Sequence, residues 1–257
     1  MAAADLSDEE LVALLHDAAT AVRRALDGLA DWGLAGTVEW QYRHDLVADE
    51  AALSVLRGAG LGVVSEESGN HAVDVGVVVV LDPVDGSTNA SRGIPWYNTS
   101  LCALDGSGAR AAVVVNQASG ARFEAVRGGG ARLDGRPISP TSCTAVGEAL
   151  IGLNGYPPAH LGWKQYRALG AAALDLCAVA AGVLDGYVDC TRRGHAPWDY
   201  LGGMLVCQEA GAAIADVDGD DLVTSDHGER RTPVAAATPE LLAELLEGRR
   251  RFGVSKE

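Results

Sequence analysis

The order of apolar and polar positions predicts helices in the first part of the chain. Ser7 and Glu10 form a capping-box pattern, and apolar residues then recur at helical spacing over residues 11–29. Residues 31–44 show no clean period, so we expect a loop there. A second helix is predicted over about 46–56, just before two glycines. The chain therefore begins with two amphipathic helices.

Short β-branched segments follow these helices and predict a sheet. Residues 73–82, VDVGVVVVLD, are apolar at nearly every position, so we expect this strand to be buried on both faces. Asp134 and Gly135 predict the turn of a hairpin, as Asp-Gly pairs do. The other strands predicted in this half occupy 61–67, 98–104, 111–117 and 121–126.

The second half alternates strands with apolar helices. Pro197 opens one predicted helix, which ends at Gly211, and Pro239 lies in the first turn of the last one. A small-residue helix is predicted within 170–186, and strands within 148–153, 186–190, 212–220 and 233–238. The mixture lacks a strict βαβ period and any repeat, and it predicts a layered α/β fold. We expect a single unit of two packed subdomains, about 1–140 and 141–257.

Composition and charge argue against several classes of function. The chain has 257 residues, 48% of them apolar, and a net charge of −15, which predicts a globular protein that binds neither nucleic acid nor an anionic membrane. None of the five cysteines forms a CxxC pair, so we expect free thiols in a reducing compartment. The N-terminal residues lack a basic flank and a long apolar core, so we expect no signal peptide and a cytoplasmic location.

Two carboxylates stand where the most apolar predicted strand ends, in LDPVDGSTN. Asp82 and Asp85 at the edge of a buried strand repel each other unless a cation neutralises them, and oxygen ligands suit Mg²⁺. Gly86 and Ser87 then offer backbone N–H groups suited to a phosphate. The alternative is an ordinary turn, since Asp, Pro, Gly and Asn all favour turns.

Two more acids lie at predicted element ends. Glu66 follows a strand in SEES, and Asp199 begins a helix in APWDY. Taken singly, Glu66 fits a solvated loop and Asp199 fits a helix start favoured by the dipole. Three acid groups at three element ends together favour a metal site. Two residues separate Asp82 from Asp85, which excludes the DxD spacing of phosphatases with an aspartyl nucleophile.

The order of these motifs resembles that of the inositol monophosphatase family. SEES, LDPVDGSTN and PWDYLGGMLVCQEAGA correspond to the family's GEES, DPIDGTTNF and WDxAAGxLIxxEAGG, and GGGARLDGRPI resembles its GxGAxxNGxPI hairpin. The resemblance runs from about Asp45 to Ala215. It implies the αβαβα sandwich of the inositol monophosphatase and fructose-1,6-bisphosphatase type. It also implies a Mg²⁺-dependent phosphomonoesterase that acts on a small phosphorylated alcohol, is inhibited by lithium and forms a homodimer.

The resemblance also implies individual roles. Glu66 and Ser87 would orient the attacking water, and the Gly86 and Ser87 N–H groups would bind phosphate. Two Mg²⁺ ions would make the water nucleophilic and stabilise the attacking and leaving oxygens. The implied metal ligands are Glu66, Asp82 and the Val84 carbonyl for the first ion, and Asp82, Asp85 and Asp199 for the second.

The sequence departs from the family pattern in DLVADE, a shortened form of DLVTxxD. Asp45 and Asp49 stand for its two acids, and a third metal site and a proton relay from Asp49 to Ser87 depend on this segment. Arg192 stands where myo-inositol phosphatases have a carboxylate that contacts substrate hydroxyls. With Arg193 it would favour an anionic group, or both would be solvated loop residues.

Other substrate contacts and alternatives remain open at this point. Asp85 and Ala172 are predicted substrate contacts, and Ala171 stands where the family often has a hydroxyl. A nucleotide or sugar bisphosphatase of the same superfamily is one alternative function, and a non-catalytic interaction protein is another. His195 lies near Asp199 and could face the pocket, although such a histidine is more often an ordinary loop residue. We expect DVDGDD, residues 216–221, to be a hairpin turn that binds no calcium.

Overall fold

The computed structural model describes residues 6–36 and 41–251. Residues 37–40 of the predicted loop therefore lie outside the described part. Among the described residues, no helix is long and apolar enough to cross a membrane. The helices are α1 Asp8–Asp27, α2 Arg43–Gly58, α3 Ser87–Arg92, α4 Ala172–Ala180, α5 Pro197–Ala210 and α6 Pro239–Arg250.

Eight strands of the first half form one sheet in the order β2-β1-β3-β4-β5-β6-β7-β8. All neighbours are antiparallel except β1 and β3, which run parallel. The strands are β1 Gly62–Ser65, β2 Gly69–His71, β3 Val78–Asp85, β4 Asn98–Asp105, β5 Gly108–Asn116, β6 Arg122–Val126, β7 Gly130–Leu133 and β8 Arg136–Pro137.

A second sheet of five strands has the order β10-β9-β11-β13-β12. Its central strand β11 pairs in parallel with β9 and antiparallel with β13. These strands are β9 Leu150–Asn154, β10 Gln165–Arg167, β11 Gly186–Asp189, β12 Ala213–Asp216 and β13 Pro233–Ala236.

Three hydrophobic clusters fill the spaces between five layers. Helices α1 and α2 pack on one face of the eight-stranded sheet, and α4 and α5 lie between its other face and the five-stranded sheet. Helix α6 covers the far face of that second sheet. The resulting order is αβαβα, as predicted. Helix α5 of the second half packs against strands of the first half, so the two halves share one core. The subdomain boundary near residue 140 therefore stays a prediction.

Two adjacent glycines let α5 fit between its neighbours. A Cβ on Gly202 would lie 2.6 Å from Ser100 Oγ of β4, and one on Gly203 would lie 2.6 Å from Leu176 Cβ of α4. Side chains at these positions would push the helix away from the sheet or from α4. The pair therefore fixes α5, and with it Asp199, against the sheet.

Most predicted elements are confirmed, with shifted ends. The capping box of Ser7 and Glu10 is present on α1. Helix α2 begins three residues earlier than predicted, because the Asp45 carboxylate accepts the Tyr42 N–H at 2.9 Å and stabilises a start at Arg43. Helix α4 ends at Ala180, before the left-handed Gly182. Strands β2 and β10 were missed, since three-residue edge strands carry almost no alternating pattern.

Candidate active site

The parallel pairing of β1 and β3 brings the first two acids together. Ser65 lies opposite Leu81, and the Glu66 N–H donates to the Leu81 carbonyl at 3.1 Å. Because parallel strands end at the same edge of a sheet, Glu66 emerges beside Asp82. The two acids are far apart in the sequence, and this register makes them neighbours.

A bulge at the end of β3 aims the third acid. The register of β3 against β4 shifts between Asp82 and Asp85. The Thr99 hydroxyl donates to the Pro83 carbonyl at 2.8 Å inside the bulge. Asp85 Oδ2 accepts from Asn98 Nδ2 at 2.8 Å and from the Ala173 N–H at 2.9 Å. One oxygen of Asp85 is thus held by β4 and by the first turn of α4.

The start of α5 supplies the fourth acid. Pro197 occupies the first turn, and Asp199 Oδ2 accepts the Ala196 N–H at 2.7 Å. His195 Nδ1 lies 3.3 Å from the same oxygen. The helix start therefore fixes Asp199 at the edge where β1 and β3 end.

These acids line one open cleft of about 340 Å³. Among the described residues that line it, six are acidic and none is Lys or Arg. The lining residues are Tyr42, Asp45, Glu66, Glu67, Asp82, Val84, Asp85, Gly86, Ser87, Thr88, Gly170 and Asp199.

The electrostatics of the cleft disfavour ionised carboxylates. Burial, and then the charges of Glu66, Asp85 and Asp199, raise the pKa of Asp82 well above its usual range. Burial and the charge of Asp199 raise the pKa of Asp85 to about 7. Glu66 is open to solvent along the cleft, yet desolvation by its neighbours and the charges of Asp199 and Glu67 raise its pKa too. A cation would relieve this repulsion.

The donor set fits a hard divalent cation such as Mg²⁺. Asp82 is buried, and its Oδ1 accepts no hydrogen bond from the described residues. Carboxylate and carbonyl oxygens are the ligands that Mg²⁺ prefers. Within the described residues, no three His, Cys, Asp or Glu side chains surround one point as a preformed site. Instead, the charge of Glu66 helps to raise the pKa of Asp82, as expected for neighbouring acids with no cation between them. The fit of the cleft to Mg²⁺ therefore rests on the unsatisfied buried oxygen of Asp82 and on the oxygen ligands around it.

Ser87 contacts Asp45 and not Asp49. The Ser87 hydroxyl lies 2.7 Å from Asp45 Oδ1 and 2.8 Å from the Val84 carbonyl oxygen. Asp49 lies one helical turn further on, where it accepts a 2.5 Å hydrogen bond from Ser65 Oγ. A proton relay from Asp49 to Ser87, which the sequence left open, therefore has no direct hydrogen bond behind it here. Burial raises the pKa of Asp45 to about 6, although its hydrogen bonds to Ser87 and Tyr42 oppose this.

Gly86 adopts a conformation that few other residues tolerate. Its φ is 88°, and a Cβ there would lie 3.1 Å from the Trp96 carbonyl oxygen and 3.2 Å from Ala171 Cβ. Helix α3 begins immediately after it, at Ser87, and the first N–H groups of a helix lack partners within the helix. The predicted phosphate contacts at Gly86 and Ser87 thus lie on the wall of the cleft.

The predicted substrate residues of the second half do not line the cleft. Arg193 Nη2 lies 2.7 Å from Asp220 Oδ2, and its Nε lies 3.8 Å from Asp218, so it is engaged in the loop 216–221. Arg192 is exposed and is absent from the lining. Ala172 is buried in α4 behind the wall. Of the predicted substrate contacts, only Asp85 therefore lines the cleft, and a contact of Arg192 or Ala172 with the substrate stays a prediction.

Sequence reasoning missed the residues that orient the acids. Asn98 holds Asp85 from β4, and the Ala173 N–H holds it from α4. His195 is also more than a loop residue. Burial opposes its charged form, yet Asp199 and Asp189 raise the pKa of His195 to about 9. The only signal for Asn98 was a polar residue at the start of an apolar strand.

Comparisons with known proteins identify the family and the fold. The model of the "Inositol monophosphatase family" matches residues 43–252. The "Fructose-1,6-bisphosphatase/inositol-1-monophosphatase" of Archaeoglobus fulgidus is 33% identical over 213 residues, covering 79% of this chain and 81% of the relative. The "Nus factor SuhB" of Pasteurella multocida is 29% identical over 232 residues, 83% of each chain.

Solved structures share the fold. A protein from Pyrococcus horikoshii, described as having similarities to inositol-1 monophosphatase, superposes with a TM-score of 0.79 at 28% identity. The match covers 93% of this chain and 96% of that one. The layered architecture is therefore shared over nearly the whole length of both chains.

Proposed function

The chain belongs to the inositol monophosphatase family, and on that premise we propose that it hydrolyses the phosphate monoester of a small alcohol with Mg²⁺ bound in the acidic cleft. The predicted family and layered fold are confirmed, and several relatives carry the names of phosphatases of this family. The observation that carries the proposal is the convergence of Glu66, Asp82, Asp85 and Asp199 on one cleft.

We propose that the cleft holds two Mg²⁺ ions. When bound, such ions lower the pKa of water and neutralise charge on a transferring phosphoryl group. The unsatisfied buried oxygen of Asp82 supports this proposal, because Asp82 lies between the other acids. A third ion would depend on the segment 45–49, of which Asp45 also lines the cleft. The proposed ligands are Glu66, Asp82, the Val84 carbonyl, Asp85 and Asp199.

Ser87 and Asp45 can move the proton that the attacking water loses. As the Ser87 oxygen accepts a proton from water, its own hydroxyl proton passes to the Asp45 carboxylate 2.7 Å away. A pKa of about 6 leaves Asp45 mostly ionised at neutral pH, so it can accept that proton. Glu66 lines the same cleft and would orient the water from the opposite side. In this proposal Asp45 takes the relay role that the sequence suggested for Asp49.

The charge of the cleft supports a monophosphate as substrate. With no Lys or Arg among the described lining residues, a second phosphate would find no cationic side chain there. Arg193 is already paired with Asp218 and Asp220. We therefore favour a phosphorylated polyol or amino alcohol over a sugar or nucleotide bisphosphate. The bisphosphatase remains the second candidate, since the relative from Pyrococcus furiosus is named "Fructose-1,6-bisphosphatase".

Further properties follow from the family resemblance and stand as proposals. Lithium would inhibit the enzyme, and the chain would form a homodimer in the cytoplasm. The non-catalytic alternative is kept because the Pasteurella multocida relative is named a Nus factor. The full acid set of the cleft supports the enzyme, because buried carboxylates with raised pKa values cost stability without a cation.

The test is phosphate release from a panel of substrates, with Mg²⁺ and with a chelator. Inositol 1-phosphate, histidinol phosphate, fructose 1,6-bisphosphate and adenosine 3′,5′-bisphosphate make up the panel. We expect Mg²⁺-dependent release, faster from the monophosphates than from the bisphosphates. Faster release from a bisphosphate would favour the second candidate. No release from any member, by protein shown to bind Mg²⁺, would contradict the proposal for this substrate class.

A further inference from the structure

Within the described part of the chain, the Asp199 carboxylate is anchored through one of its two oxygens. Oδ2 lies 2.7 Å from the Ala196 nitrogen and 3.3 Å from His195 Nδ1. The other oxygen accepts no hydrogen bond from the residues that the structure describes. Asp199 lines the acidic cleft, so Oδ1 is the oxygen left for a cation. The direction of that oxygen depends on the groups that hold Oδ2.

His195 is itself fixed from two sides. Its backbone pairs with that of Arg231 in both directions, at 3.2 and 2.8 Å. Its ring is buried, and Nε2 lies 2.8 Å from the hydroxyl of Tyr187, a fully buried residue of β11. Asp189 Oδ2, also fully buried, lies 3.8 Å from the same nitrogen. A chain of contacts therefore runs from the second sheet through the imidazole ring to Asp199.

These partners decide where the ring carries its proton. A carboxylate oxygen beside Nδ1 can only accept, so Nδ1 must bear hydrogen. In the neutral ring, Nε2 then accepts from the Tyr187 hydroxyl, and in the charged ring it donates to it. Nδ1 donates to Asp199 in both forms. Partners on the far nitrogen of a histidine fix its ring orientation in this way.

We propose that His195, held by Tyr187, is a positioning residue that fixes Asp199 for the cation of the acidic cleft. This inference rests on the proposed function, because it assigns His195 a role toward that cation. His195 is not among the described residues that line the cleft. It acts through Asp199, and its effect should appear first in metal affinity. Losing such outer contacts typically costs 10- to 100-fold in metal affinity or activity.

The experiment measures Mg²⁺ and Mn²⁺ dissociation constants by titration calorimetry on the full chain. His195→Leu removes the donor, while His195→Asn retains an N–H group at the place of Nδ1. We expect weakening of about 10- to 100-fold in the leucine variant and recovery of most of that loss in the asparagine variant. His16→Leu is the matched control, since His16 lies on α1 and pairs with Glu124. It should leave both constants unchanged.

Tyr187→Phe tests the outer contact with the ring volume preserved. We expect a smaller loss than in His195→Leu, and no further loss when both changes are combined, because Tyr187 acts only through His195. If His195→Leu does not fold, as judged by circular dichroism, His195→Asn and Tyr187→Phe still test the idea. Equal affinity in Tyr187→Phe and wild type would then overturn it.

Asp199→Asn separates the two proposals. If the wild type binds no divalent cation, the proposed function fails. If the wild type binds and Asp199→Asn weakens binding, but His195→Leu and Tyr187→Phe bind like the wild type, only the positioning role fails. Losses of the same size in the leucine and asparagine variants of His195 would indicate a packing effect and would also overturn it.

Discussion

Two acid-rich regions of this chain look alike in sequence and differ in what surrounds them. In the loop 216–221, the Asp216 carboxylate accepts N–H groups of Asp218, Asp220 and Thr232 at 2.7 to 3.3 Å. Arg193 pairs with the outer acids of that loop. In the cleft, no described residue donates to the buried Oδ1 of Asp82, and the neighbours of Asp82 are acids. The number of acids does not distinguish the two regions.

The difference lies in the supply of donors. Backbone N–H groups and a guanidinium already satisfy the loop, so its carboxylates stabilise a turn. The cleft has fewer donors than its acids require, and a cation would complete it. A cluster of carboxylates indicates a metal site when the carboxylates are buried and the protein supplies too few hydrogen-bond donors or cations for them. Four changes test this contrast, from the largest expected effect to the smallest.

Replacing Asp82 should have the largest effect. Asp82→Asn keeps the shape of the side chain but removes a charge that both proposed ions share. We expect Mg²⁺-dependent phosphate release to fall at least about 10³-fold, since metal stabilisation is worth several kcal/mol. Asp220→Asn in the loop is the matched control and should retain activity within about twofold. Comparable losses in the two variants would erase the distinction between the regions.

The metal-free protein should lose stability as the pH rises. The folded pKa of Asp85 is about 7, against 3.8 without the fold, so the folded state holds the extra proton between these values. The contribution of Asp85 to the free energy of unfolding is therefore largest below pH 4. It falls by roughly 4 kcal/mol as the pH rises to 7. Urea unfolding in chelator measures the slope.

Two controls accompany the pH series. Asp85→Asn should flatten the slope, and saturating Mg²⁺ should raise stability at pH 7 more than at pH 4, because a cation favours the ionised acids. If the free energy of unfolding depends on pH equally in wild type and Asp85→Asn, other groups cause that dependence.

Asp45 and Asp49 provide a matched pair on one helix. Asp45 faces Ser87, and Asp49 faces Ser65 one turn away. We expect Asp45→Asn to lower kcat about 10²-fold, the low end for a lost proton acceptor. Asp49→Asn should change kcat by less than about threefold. Initial rates at saturating substrate give both values, and a larger effect at Asp49 would restore the relay predicted from the sequence.

Releasing the loop should have the smallest effect. Arg193→Gln removes the exposed pairs with Asp218 and Asp220, and such pairs contribute about 0–1 kcal/mol. We expect a stability loss within that range and an unchanged ratio of monophosphate to bisphosphate hydrolysis. Denaturant melts and the substrate panel check both points. A shift of the ratio toward monophosphates would show that Arg193 binds the second phosphate after all.

Local patterns were enough to find the elements and the main acids. The valine-rich segment that ends in Asp82 predicted a buried strand, and Pro197 with Asp199 predicted a helix start. Each of these acids lies near the end of a helix or strand, and the ends of such elements lie at the edge of a layer. The sequence predicted that these acids share one site, because their motifs follow the order of the family pattern. Two features of the tertiary structure support this prediction. Strand β1 pairs in parallel with β3, and Gly202 and Gly203 let α5 pack closely against β4 and α4.

Contacts between distant segments depended on the tertiary structure. Asp45 and Asp49 are four residues apart, so both lie on one face of a helix, and spacing could not decide which one reaches Ser87. The packing of α2 beside β1 and β3 decided it, since Asp45 meets Ser87 and Asp49 meets Ser65. Arg193 and His195 likewise depended on loops that come back from residues 216–231. The sequence by itself determined the elements and their chemistry, because these depend on neighbours along the chain. Packing decided which distant polar groups meet, such as Ser87 with Asp45 and Arg193 with Asp220, because those partners lie tens of residues apart.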